Sequence, residues 1–93
     1  MIIGLLEMEF SIPEARSLKD KRSVIKSLKD RIAGKMNVSV AEIDHQDQWQ
    51  RSRFAFVTVA AEKHIVESRM AELRDRLLSD PRYVIMGMEQ HFL

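Results

Sequence analysis

The 93-residue sequence contains no cysteine, which excludes disulfide bonds, thiol nucleophiles and zinc sites built from cysteine. It has only three glycines and two prolines, so it is not a fibrous repeat. No apolar run approaches the roughly 20 residues that a membrane-spanning helix needs. The opening MIIGLLEMEF lacks the basic start and the small-residue cleavage site of a secretory signal. We therefore expect a cytoplasmic protein with no membrane partner.

What the sequence does contain is typical of a soluble globular protein. Hydrophobic residues make up 45% of the chain and charged residues 31%. A length of 93 residues is enough for one domain with a modest core, and we expect a single domain over residues 1–93.

Hydrophobic periodicity predicts four strands and two helices. Apolar and polar residues alternate over the first twelve residues, which is typical of a strand with one buried face. Apolar residues at helical spacing predict helices over 18–35 and 64–79, the first beginning beside Ser17 and Asp20 in a variant of the capping box. Further strands are predicted over 38–44, with a possible bulge, over 54–60 and over 83–93.

This βαββαβ order predicts a ferredoxin-like α+β sandwich. Both crossover connections should be right-handed, which places the two helices on one face of a four-stranded antiparallel sheet. The expected strand order is four-one-three-two. The first and third strands, which are the most apolar, would then be central.

The sheet face without helices is expected to carry apolar side chains. If the even positions of the first strand face the helices, then Met1, Ile3 and Leu5 face outward. A contiguous apolar patch on a soluble protein usually marks an interface. We therefore expect a homodimer through this face, with burial by the chain itself as the alternative.

The first helix concentrates positive charge. Residues 16–35 carry eight positive and two negative side chains, a net charge of +6, whereas the rest of the chain has a net charge of −5. Like charges three or four positions apart cost about 0.2–0.5 kcal/mol per pair, and cations near a helix start oppose its dipole. A phosphate-bearing partner, RNA above all, would relieve both penalties. The alternatives are a solvated lysine-rich surface and an acidic protein partner.

The polar segment at residues 44–51 is a second candidate site. Asp44, His45 and Asp47 offer a weak case for acid–base chemistry or metal binding, because adjacent strand residues point to opposite faces unless the backbone turns. Trp49 could stack on a base or cover the core. We expect a recognition or structural hairpin, with no enzymatic activity, no cofactor and no metal.

The third strand partly resembles that of the RNA-recognition motif, which has the same order of strands and helices. However, Arg53 stands where that motif has glycine, and Val59 where it has an aromatic residue. Phe54 and Phe56 are therefore expected in the core and not as base-stacking residues.

Three blocks of sequence carry a family resemblance: MIIG at residues 1–4, ARSLKDKRS at 15–23, and NVSVAEIDHQD followed by WQR within 37–51. Over essentially the whole chain they resemble the YlxP-like family of small bacterial proteins. The resemblance implies a ferredoxin-like fold and supplies no established active site. Such proteins are often encoded beside translation and ribosome-maturation genes, including that of ribosome-binding factor A, which implies a ribosomal RNA context.

Together these observations predict a small protein that binds RNA or a ribosomal subunit. The candidate phosphate contacts on the first helix are Arg16, Lys19, Lys21, Arg22, Lys26 and Lys29, with Lys21 expected to extend from the apolar face toward solvent at the sheet edge. The candidate hairpin contacts are His45, Trp49 and Arg51. Two alternatives remain: a dimeric ligand-binding or regulatory module, and a hydrolase at the 44–51 hairpin.

Overall fold

The computed structural model describes residues 1–93 and has the predicted βαββαβ order of a ferredoxin-like α+β fold. The elements are β1 (Ile2–Ser11), α1 (Leu18–Ala33), β2 (Ser39–Asp44), β3 (Arg51–Ala60), α2 (Lys63–Leu78) and β4 (Val84–Phe92). The four strands form one antiparallel sheet in the order β2-β3-β1-β4, which confirms the predicted topology and the central position of β1 and β3.

The core lies between the sheet and the two helices. The even positions of β1, including Leu6, Met8 and Phe10, are fully buried, and Met8 pairs with Phe54 on one side and Met88 on the other. Sixteen buried hydrophobic residues form one continuous cluster. The alternating pattern of β1 therefore predicted correctly which of its two faces is buried.

The two helices begin differently. The Ser17 hydroxyl accepts a hydrogen bond from the Asp20 amide (3.1 Å), and the Asp20 carboxylate accepts one from the Arg16 amide (3.0 Å). Asp20 thus fills the role that Glu usually has in a capping box. At the start of α2, Glu62 makes no such bond. Each helix has 16 residues, and neither has the length and hydropathy that crossing a membrane requires.

Element boundaries differ from the predicted ones mainly in β3, which begins at Arg51, three residues earlier than expected. Residues 51–53 are polar, yet their burial alternates as in the rest of the strand, because Ser52 is buried between the more exposed Arg51 and Arg53. The Ser52 hydroxyl donates to the Glu42 carboxylate (2.6 Å), and this bond allows a polar residue to face inward. The predicted bulge in β2 is confirmed as a register shift between Glu42 and Asp44.

The outer face of the sheet corrects the expectation of a contiguous apolar surface. Its larger group of apolar side chains lies at one end: Ile3, Leu5, Val57, Val59 and Leu93. A smaller exposed group, Val84 and Met86, lies at the other end. The middle of the face carries charges in cross-strand register: Glu7, Glu9, Arg51, Arg53 and Glu89. Side chains of β1 and β3 point alternately inward and outward in both regions. The outward-facing side chains change from apolar to charged along these strands. The homodimer stays a prediction.

Candidate functional site

The basic side chains of α1 line a cleft between this helix and the edge strand β2. The cleft has a volume of about 340 Å³. Arg22, Lys26 and Lys29 border it on the helix side, and Glu42 and Gln46 border it on the other. The structure therefore places three of the predicted phosphate contacts around one surface depression.

Most of the candidate cations on α1 have no acidic partner. Lys19 and Arg22, and Arg16 just before the helix, are exposed, and none of their charged side-chain nitrogens lies within 4.0 Å of a carboxylate oxygen. Lys26 pairs with Asp30 at 3.2 Å, but both side chains are solvent-exposed, and such pairs are weak. The Lys29 ammonium lies 5.8 Å from the centre of the Phe54 ring. The positive charge of this surface is therefore largely uncompensated within the chain.

Lys21 is the exception, and its prediction as a phosphate contact was wrong. Its side chain is only 1% exposed, and Nζ lies 3.0 Å from Glu42 Oε2. The ammonium also donates to the backbone carbonyl of His45 at 2.6 Å. A buried lysine needs such partners, because an unpaired charge in the interior is strongly unfavourable. Lys21 thus fixes the hairpin to α1 and does not reach solvent.

The turn after β2 is shaped by His45, which has a positive φ of 64°. Its amide donates to Asp44 Oδ1 (2.8 Å), and its carbonyl accepts from the Gln48 amide (3.1 Å). Its Nε2 lies 3.2 Å from Glu9 Oε1, and its side chain is 17% exposed. His45 is therefore a fixed part of the hairpin, with little surface left for a ligand.

The turn also brings Asp44 and His45 together, with Oδ1 and Nδ1 3.9 Å apart. This is the backbone turn that a shared acid–base site would require. However, the imidazole already contacts Glu9, and Asp47 makes no hydrogen bond or ion pair with either residue. The hairpin therefore does not assemble all three candidates of the hydrolase alternative.

Trp49 is 52% exposed, so it does not cover the core. It lies beside the outer sheet face, at an open hollow of about 580 Å³. The hollow is lined by Ser11, Asp47, Gln48, Trp49, Gln50, Arg51 and Met86. By contrast, Phe54 and Phe56 are fully buried, which confirms their predicted place in the core.

Arg51 belongs to a network of charges around Glu9. Its Nε donates to Glu9 Oε2 at 3.0 Å, and its NH2 group bonds to the same oxygen. Arg53 and His45 contact the other carboxylate oxygen at 3.3 Å and 3.2 Å. The hydrogen bond from Arg51, together with the bonds from His45 and Arg53, lowers the pKa of Glu9 from 4.5 to about 2.

One cluster could in principle hold a metal ion: the ligand atoms of Glu7, Glu89 and His91 lie within 4.8 Å of one another on the outer face. Arg53 lies beside both carboxylates, 3.6 Å from Glu7 and 3.9 Å from Glu89. Its guanidinium group already supplies the positive charge that a cation would bring. We therefore treat this cluster as part of the cross-strand ion-pair network.

Sequence reasoning missed the residues that support the hairpin from other elements. Glu9 and Glu42 hold it from β1 and β2, and Met86 of β4 completes the hollow beside Trp49. A signal for Glu9 was present: glutamates at odd positions of β1 face arginines at odd positions of β3 once the two strands are paired. No comparable pattern pointed to Met86.

Comparisons with known proteins place the chain among proteins of unknown function. The profile of a family described as "Protein of unknown function (DUF503)" matches residues 3–90. The chain is also 41% identical to the uncharacterized protein YlxP of Bacillus subtilis (strain 168) over 69 residues. The aligned region covers 74% of this chain and 75% of that protein. These matches confirm the resemblance to the YlxP-like family. Neither description names an activity or a ligand.

Proposed function

Since the chain belongs to the DUF503 family, which has no assigned function, we propose a function from its charge distribution: it binds RNA phosphates through α1. One observation carries the proposal. Arg22, Lys26 and Lys29 of α1 border a cleft, and among them only the exposed Lys26 pairs with a carboxylate, that of Asp30. An uncompensated row of cations attracts a polyanion and releases its counterions on binding.

The spread of the charges favours a polyanion over a small anion. Lys19 and Lys29 are ten positions apart, which corresponds to about 15 Å along a helix axis. A single phosphate could contact only the cations at one point of this row. Successive phosphates of a nucleic acid strand could contact Lys19, Arg22, Lys26 and Lys29 together.

The cleft is also held in a fixed shape. The contact from Lys21 to the His45 carbonyl ties the hairpin to α1 and sets Gln46 at the border of the cleft. A binding surface that is already ordered loses less conformational entropy when a ligand arrives. The choice of ribosomal RNA over other RNA rests on the ribosome-maturation context that the family resemblance implies.

The direct test is binding of the purified protein to ribosomal subunits and to isolated ribosomal RNA. We expect the variant Lys19→Gln, Arg22→Gln, Lys26→Gln to bind at least about tenfold more weakly, because it loses three phosphate contacts. The matched control Lys63→Gln, Arg74→Gln, Arg76→Gln removes the same charge from α2 and should bind within about twofold of the wild type. Equal affinity of the wild type and the α1 variant would contradict the proposal.

The apolar end of the outer face favours a second role, self-association. Val57 and Val59 are 39% and 49% exposed, beside the half-buried Ile3 and Leu5. We propose that two copies cover this end against each other, which would remove the exposed apolar surface from water. Sedimentation at micromolar concentration should show a dimer, and a monomer at all concentrations tested would contradict it.

A further inference from the structure

The hollow beside Trp49 combines an exposed aromatic side chain with polar groups. Phe10, Phe54 and Phe56 are fully buried and Tyr83 is 5% exposed, whereas half of the Trp49 surface is in solvent. Phe92, the other exposed aromatic residue, is 37% exposed and does not line this hollow. An indole and the Met86 side chain supply the apolar part of the hollow, and amides, a hydroxyl, a guanidinium and the Asp47 carboxylate supply the rest. Aromatic rings with polar neighbours are the usual receptor for a nucleobase, which has an apolar face and a hydrogen-bonding edge.

From this chemistry we infer that the Trp49 hollow binds one unpaired nucleobase, stacked on the indole, of an RNA strand whose phosphates lie on α1. The inference rests on the proposed function and adds the class of RNA to it. In a duplex both faces of a base are stacked and its pairing edge is occupied. The protein should therefore prefer RNA with a single-stranded segment.

The polar groups around Trp49 are held in place by bonds within the chain. Gln50 Nε2 donates to the Ala15 carbonyl (3.0 Å) and the Pro13 carbonyl (3.3 Å), so its Oε1 remains as an acceptor. Arg51 bonds to Glu9 through Nε and NH2, which leaves NH1 as a donor. Fixed donors and acceptors of this kind match the edge of a base and lose little entropy on binding.

The position of the hollow connects it to the cation cleft. Gln46 borders the cleft at α1, and Asp47 to Arg51, in the same hairpin, border the hollow. A strand with phosphates on Lys26 and Arg22 would therefore reach Trp49 by passing around this hairpin, from the helix side of the sheet to its outer face. This continuity, and not the apolar surface alone, favours a nucleic acid as the occupant.

The experiment uses the intrinsic fluorescence of the 93-residue protein, because Trp49 is the only tryptophan in its sequence. Three labelled RNAs are compared: a single strand, the same strand with abasic positions, and the fully paired duplex. We expect only the single strand with bases to quench Trp49, and the quenching to saturate at the affinity measured from the label. Binding of the single strand without quenching would overturn the inference while the proposed function stands.

A variant separates stacking from a structural role. Trp49→Ala should weaken binding of the single strand by about 5- to 100-fold, which corresponds to the loss of one stacked base, and should leave the abasic strand unchanged. The control Val84→Ala removes an exposed apolar side chain from the same end of the sheet and should change neither affinity. An equal loss for both strands would overturn the inference. Quenching that rises with protein concentration in the absence of RNA would also overturn the inference, since a second copy of the chain would then fill the hollow.

Discussion

The two helices cover the same sheet face but carry different charge. Each has 16 residues and buries four of them. Helix α1 has six positively charged and two negatively charged side chains, whereas α2 has four positively charged and three negatively charged ones. In α2, Arg76 pairs with Glu72 one turn away at 3.1 Å. In α1, Lys19 and Arg22 have no such partner.

This difference shows that the fold does not require a basic helix. The nearly balanced surface of α2 is compatible with the same length and the same number of buried residues. Like charges along one helix destabilise it by a few tenths of a kcal/mol per pair. The proposed RNA partner would account for the excess on α1, and the following predictions test where the two helices differ.

The largest effect is expected at Lys21, the buried cation of α1. Lys21→Met should lower the free energy of unfolding by about 3 kcal/mol, because Glu42 loses its partner in a mostly buried site. Urea denaturation measures the change. Lys19→Met, at an exposed position, should change the free energy of unfolding by no more than about 0.5 kcal/mol. Similar small changes at both positions would show that the Lys21 pair is not important for stability.

The close packing of α2 on β1 gives the next largest effect. A methyl group at Gly4 would lie 2.5 Å from Val66 Cγ1 and 3.2 Å from Met70 Cε. Gly4→Ala should therefore destabilise the protein by about 1–3 kcal/mol through overpacking. Gly87→Ala is the matched control, since no atom lies within 4 Å of its added methyl group. An unchanged unfolding midpoint for Gly4→Ala would mean that α2 can move away at little cost.

Much of this architecture could be predicted from local sequence, because one buried face leaves a periodic signal. The alternation in β1 and the helical spacing of Ile25, Leu28 and Ile32 are examples of the patterns that predicted the element order. The strand order followed from that element order, because two interlocking right-handed βαβ units form a ferredoxin-like sheet. The start of β3 was missed because its inward residue, Ser52, is polar and depends on Glu42 for its hydrogen bond.

The candidate site was less predictable, since it depends on contacts between distant elements. The spacing of Lys21 placed it on the apolar face, but its partner Glu42 is on another element, and without that partner a lysine is expected to extend to solvent. The positive φ of His45 and the diagonal ion pair of Glu9 with Arg51 likewise follow from the hairpin and the register. Residue spacing alone contains none of this information.

The different helix starts predict a smaller effect. Ser17→Ala should destabilise the protein by about 1 kcal/mol, because the Asp20 amide loses its acceptor. Glu62→Ala should have almost no effect, since Glu62 makes no capping bond. Thermal or urea unfolding of the two variants measures the difference. Equal losses would mean that the capping bond at α1 does not contribute to stability.

The outer sheet face predicts a pH dependence of folding stability through Glu9. The pKa of Glu9 is about 2 in the folded protein and near 4.5 when unfolded, so the ionised form stabilises the fold above pH 4.5. This contribution should be lost as the pH falls from 4.5 to 2. Glu9→Gln should remove that part of the pH dependence, as measured by urea unfolding across the range. An unchanged profile would contradict the assignment to Glu9.

The salt dependence of RNA binding tests the central claim most directly. Each phosphate contact contributes about 0.7 to the slope of log affinity against log salt concentration for a single strand. The α1 variant Lys19→Gln, Arg22→Gln, Lys26→Gln should therefore show a slope about 2 smaller in magnitude than the wild type, with the α2 control unchanged. A slope that is the same for the wild type and the α1 variant would show that the cations of this helix do not contact phosphates.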